Sequence, residues 1–122
     1  PVVGLFKRQR ASGKKLTIVG DGSQRRDFTY IDDVVSANIC AMKVSPSAIP
    51  YNVYNVGTGK NYSISEVAAM IGKDVEYIPE RPAEVKETLA EIQTTSTDLG
   101  WIPKYDLIKK INSYWGEKCG KN

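Results

Sequence analysis

Two arginines stand where a chain can hold phosphate oxygens. Arg26 follows the glycine turn in "GDGSQRRDFTYIDD" (20–33), and Arg81 lies in "PERPAE" (79–84). A guanidinium fixed at its base presents a planar fork that matches two oxygens of one phosphate. Two such forks on separate loops can clamp a diphosphate, each charge-assisted hydrogen bond being worth about 1.5–3 kcal/mol net. The same arginines can instead be solvated, or pair with Asp27, Asp32, Glu80 or Glu84.

Other chemistries have less support. The chain has no histidine, so the commonest general base and metal ligand is missing and a Ser-His-Asp triad is excluded. Cys40 and Cys119 form no CxxC pair, and neither a metal site nor a disulfide framework is expected. Cys40 lies in an apolar run and reads as a buried thiol. "NVGTGK" (55–60) lacks the Lys-Ser/Thr pair of a Walker loop and the third glycine of a dinucleotide fingerprint. It reads as a strand ending in a glycine turn. No catalytic residue is singled out.

Composition bounds the partners. The 122 residues suit one domain, 1–122, with 41% hydrophobic and 25% charged residues. A net charge of +3 is too small to argue for nucleic acid. No run of 18 apolar residues offers a membrane span, and "PVVGLFKRQR" is not a signal peptide. With so few cysteines, a reducing, cytoplasmic setting is expected.

The elements that must position the arginines follow from local patterns. Residues 2–11 read as a helix broken by Gly13. "KLTIVG" (15–20) reads as a strand, "GDGS" as a turn and "DFTYI" (27–31) as a second strand. Asp32 or Asp33 is placed to cap a helix over 33–43, with Val34, Ala37 and Ala41 beside Val35, Ile39 and Met42 on one wide buried face. "SPSAIP" (45–50) reads as a loop, and "YNVYNVG" (51–57) and "DVEYI" (74–78) as strands. Ser63 and Glu66 in "YSISEV" have capping-box spacing, which predicts a helix over 64–71 ending at Gly72 in the left-handed conformation. A short helix before Gly100 and a longer one over 106–116 complete the chain, with Ile108, Ile111 and Trp115 on one face. The class is α/β, of an α+β-like kind, without the successive βαβ units of a complete Rossmann domain.

"GDGSQRRDFTYIDDVVSANICAM", "YNVGTGKNYSISEVA", "ERPAEVKETLAE" and "LGWIPKYDL" occur in this order. Together they resemble the C-terminal, substrate-binding half of the NAD-dependent nucleotide-sugar epimerases and dehydratases, extended short-chain dehydrogenases/reductases of the UDP-glucose 4-epimerase kind. The resemblance covers about residues 2–110. It implies that Arg26 and Arg81 contact the diphosphate and Glu84 the ribose. It further implies that Leu16, Thr17 and Val19 lie along the base, and that Val2 and Val3 line the same pocket. Asp27 and Asp33 take structural places. Where the family's pattern has glycine and aspartate, this chain has Ala83 and Glu84, and Glu91 replaces a further aspartate. The family's NAD turn and reacting residues belong to the N-terminal Rossmann half. The chain is therefore expected to be one part of an epimerase, binding a UDP-sugar or related nucleotide-sugar but not NAD alone. It would need that half in cis or trans, or would self-associate through an uncovered face. A dehydratase or decarboxylase half, or a non-catalytic interaction module, is the alternative.

Overall fold

A computed structural model describes residues 1–49 and 53–119. They form two compact units, one of residues 1–26, 62–88 and 111–119, the other of 27–61 and 89–110.

The first unit is built on a short parallel pair. β1 (Leu16–Val19) pairs with β4 (Val75–Ile78), Leu16 opposite Val75 and Val19 opposite Ile78. Leu16 and Ile18 are buried while Thr17 and Val19 are half-exposed, the two-residue period of a strand with one covered face. α1 (Val2–Ala11) and α3 (Ile64–Ile71) pack on this pair. Phe6, Leu16, Ile18, Val67, Ile71 and Ile111 are almost fully buried, each contributing about 1.5–3 kcal/mol of transfer free energy.

α3 begins as its sequence predicts. Ser63 Oγ accepts from the Glu66 N–H at 3.1 Å, and Glu66 Oε2 accepts from the Ser63 N–H at 2.6 Å. Its end differs: Gly72 is extended, with φ −165°. Left-handed backbone is found instead at Gly100, which closes α4 (Gln93–Leu99).

β2 (Arg25–Arg26) pairs antiparallel with β3 (Tyr62–Ser63). The strand expected over 27–31 does not form, because pairing stops at Arg26 and the helix already starts at Ile31. Gly22 holds the turn between β1 and β2 close to α3. Its φ is +77°, and a Cβ there would lie 2.1 Å from Ser65 Oγ, so only glycine fits.

The second unit centres on α2 (Ile31–Lys43), a 3₁₀ turn at Pro46–Ala48 and α4. Ala37, Leu99 and Trp101 are its buried apolar centre, with Cys40, Val44, Tyr54, Val56 and Ile92 packed around them. Trp101 Nε1 donates to Ser36 Oγ at 2.8 Å, and Tyr54 Oη donates to Asp98 Oδ2 at 3.0 Å.

Three expectations change here. Asp33 is not a cap: α2 follows Tyr30 with no side-chain cap, and Asp33 is fully buried inside the helix. The wide apolar face of α2 is only partly covered, with Ala37 buried but Val35, Ile39 and Met42 exposed. Periodicity marks which residues share a face but not what covers it. Residues 53–57 form no strand, and 50–52 of the expected strand lie outside the described residues. Cys40, expected to be buried, is free and only half-buried, on a helix whose apolar face is partly uncovered. α5 (Leu107–Cys119) ends the chain, its first turn capped by Asp106 Oδ1, which accepts from the N–H of Ile108 and Lys109.

Candidate functional site

The turn after β1 and the loop after β4 enclose a cleft of about 320 Å3 in the first unit. Parallel pairing ends both strands at the same edge, so both following loops open there. Val19, Gly20 and Gln24 line one side, and Glu80, Glu84 and Lys86 the other. The Gln24 amide donates to the Val19 carbonyl at 2.9 Å, bracing the turn. The loop is tied back to β2, where the Arg25 N–H donates to the Lys86 carbonyl and the Thr88 N–H to the Arg25 carbonyl.

Ala83 sets the direction of the second side. Its φ is +60°, the only positive value at a non-glycine among the described residues. Left-handed backbone costs an L-residue about 1–2 kcal/mol, so neighbouring contacts must impose it. The next residue, Glu84, points its carboxylate toward Arg26. Arg26 Nη2 lies 3.8 Å from Glu84 Oε1, with 24% and 29% of the two side chains exposed. Arg26 Nη1 also donates to the Arg25 carbonyl at 2.8 Å. The second carboxylate oxygen, Oε2 of Glu84, is buried and has no hydrogen-bond partner among the described residues. Asp21 lines the cleft too, and the Ser23 hydroxyl and N–H hold its carboxyl below the usual range.

The structure thus brings Val19, Glu84 and, through Glu84, Arg26 to one place. The other expected residues are placed differently. Arg81 is exposed, next to the cleft-lining Glu80. Leu16 is in the core at 1% exposure, its N–H donates to the Asp74 carbonyl, and it lies outside the cleft lining. Thr17 is engaged by Gln9, whose amide donates to Thr17 Oγ1 and accepts from its N–H. Val2 and Val3 are half-buried in the first turn of α1, outside the cleft lining. Sequence reasoning missed Gln24, Lys86 and Asp21, polar residues with no periodicity to mark them.

The "GTGK" turn in the second unit does not fit a dinucleotide's phosphates. Its amides are taken: the N–H of Thr58 and of Gly59 donate to the Asp27 carboxylate, as do the Thr58 hydroxyl and the Ala90 N–H. A Cβ on Gly57 would lie 2.4 Å from Ala90 Cβ, so the glycine serves close packing. Tyr105 and Lys109 have the Tyr-x-x-x-Lys spacing of a proton-transfer pair. The Tyr105 ring packs tilted against Tyr30, with centroids 4.7 Å apart, and Lys110 Nζ lies over it, a packing role. Among the described residues, no three carboxylate or thiol side chains converge to hold a metal, and no helix is long and apolar enough to cross a membrane.

Residues 2–57 match the model of the NAD-dependent epimerase/dehydratase family. UDP-glucuronate 4-epimerase of Thermodesulfobacterium geofontis is 38% identical over 101 residues, covering 77% of this chain and 30% of that protein. The structure of UDP-glucose 4-epimerase from Thermotoga maritima with UDP-glucose superposes with a TM-score of 0.82 at 29% identity, over 98% of this chain and 40% of that one. UDP-glucuronic acid 4-epimerase from Bacillus cereus, in complex with UDP-glucuronic acid and NAD, gives 0.77 at 31% identity, over 95% and 38%. The chain spans between 30% and 40% of the length of these relatives.

Proposed function

Since this chain belongs to the NAD-dependent epimerase/dehydratase family of extended short-chain dehydrogenases/reductases, we propose that it is the nucleotide-sugar-binding part of a sugar 4-epimerase. The observation that carries this reading is the cleft after β1, where Glu84 and Arg26 meet beside an open space of about 320 Å3. In the proposed complex the base lies against Val19 and the backbone of β1. Glu84 takes a ribose hydroxyl, and Arg26 and Arg81 hold the diphosphate. Arg81 is exposed and makes no hydrogen bond or ion pair among the described residues, so its guanidinium is open to an anionic ligand. The reacting groups and the NAD site are assigned to an N-terminal Rossmann half, in cis or trans. The 4-epimerases with UDP-sugars among the similar structures support a UDP-sugar over the dehydratase alternative.

The test is calorimetric titration of the chain with UDP, repeated on Arg26→Ala and Arg81→Ala. Each variant is expected to weaken binding about tenfold or more, the loss of one charge-assisted hydrogen bond. Saturable binding that neither variant changes would sink the diphosphate assignment.

A further inference from the structure

In the free protein the anion facing Arg26 is the protein's own. Glu84 Oε1 stands 3.8 Å from the guanidinium, while Oε2 is buried without a hydrogen-bond donor among the described residues. An unpaired buried oxygen is a costly state that a ligand donor would relieve. Asp21 and Glu80 add two further carboxylates to the cleft, against one lysine, Lys86. A phosphate approaching Arg26 must therefore displace Glu84, and then leaves a carboxylate without its cation in a largely acidic cleft. A ligand carrying a hydroxyl beside its phosphates gives Glu84 a donor as it takes Arg26 away.

We propose that Glu84 is a specificity residue that makes the Arg26 site reject anions lacking a neighbouring hydroxyl, by acting as a displaceable counter-anion. Bare inorganic phosphates compete poorly for Arg26, whereas a nucleoside diphosphate satisfies both partners. The identity of the nucleotide ligand rests on the function proposed above; the competition between Glu84 and phosphate for Arg26 does not.

The experiment uses this chain with two probes, inorganic pyrophosphate and UDP, in magnesium-free buffer. Glu84→Gln removes the charge and keeps the shape, and Glu84→Ala removes both; circular dichroism checks that each is folded. Both variants are expected to tighten pyrophosphate binding about fivefold, the scale of one partly exposed ion pair. Glu84→Gln should keep UDP binding and Glu84→Ala should weaken it, so that the preference for UDP over pyrophosphate shrinks. Adding Arg26→Ala to Glu84→Gln should erase the gain in pyrophosphate affinity. Failure of both variants to tighten pyrophosphate, including no binding by any protein, overturns the inference. A gain for pyrophosphate that depends on Arg26, without UDP binding in any protein, supports the competition and removes the nucleotide-sugar reading instead.

Discussion

Asp33 accepts a hydrogen bond at 2.9 Å from the backbone N–H of Lys104, 71 residues further along the chain. Its other oxygen accepts from the N–H of Tyr105 at 3.1 Å. One fully buried carboxylate in α2 thereby satisfies two backbone donors of the loop before α5. Burying a charge is tolerable only when it is bonded in this way.

Asp33→Ala leaves both N–H groups without their acceptor. An unsatisfied buried donor costs about 1–3 kcal/mol, so a loss of at least about 2 kcal/mol is expected in urea denaturation. Asp33→Asn, which retains one acceptor oxygen, should lose less. Equal stability for Asp33→Ala and the parent would show that the loop does not depend on this carboxylate.

Ala83→Gly should stabilise the protein. Relief of the left-handed backbone is worth about 1–2 kcal/mol, and the added freedom of glycine in the unfolded chain offsets about 0.4–1 kcal/mol. A net gain of about half to one kcal/mol should appear as a higher urea midpoint with an unchanged slope. A lower midpoint would mean that the methyl makes contacts outweighing its strain.

Gly57→Ala should destabilise the second unit. The new methyl would stand 2.4 Å from Ala90 Cβ and 2.9 Å from Asp27 Oδ2, so the carboxylate that gathers Thr58, Gly59 and Ala90 must shift. Overpacking of this kind costs about 1–3 kcal/mol, measurable as a lower thermal midpoint. Substitution at the exposed Gly13, whose Cβ would meet nothing within 4 Å, tests only the backbone term.

The capping box should give α3 a defined pH dependence. The Ser63 N–H holds the Glu66 carboxyl below the usual glutamate range; desolvation, the next largest effect, opposes it, and the Ser63 hydroxyl and the Arg25 charge add to the lowering. A carboxyl with a lowered folded-state pKa binds fewer protons in the fold than in the unfolded chain. Its contribution is complete above the usual glutamate range and is lost as the pH falls through that range toward the lower folded value. Glu66→Gln should flatten this part of the stability profile in acid denaturation followed by circular dichroism. An unchanged profile would assign the acid sensitivity to other carboxyls.

Local signals were readable without a structure wherever neighbours along the chain decide the outcome. The Ser63–Glu66 pair predicts where α3 begins because both partners lie within one helical turn. The β-branched residues of "KLTIVG" and the short helix ending before Gly100 are likewise local, and the Arg26 and Glu84 motifs carry the family resemblance. What required the tertiary structure were choices among distant partners. Asp33 has the residue type and position of a cap, yet the loop at Lys104 claims it, because a buried carboxylate must take the donors that folding brings close. "DFTYI" alternates like a strand but finds no partner beyond Arg26, and a strand exists only through pairing. The meeting of Arg26 with Glu84 depends on β1 and β4 lying parallel, so that loops some 60 residues apart open at one edge. Spacing in sequence does not encode that closure; packing of α1 and α3 on the paired strands decides it.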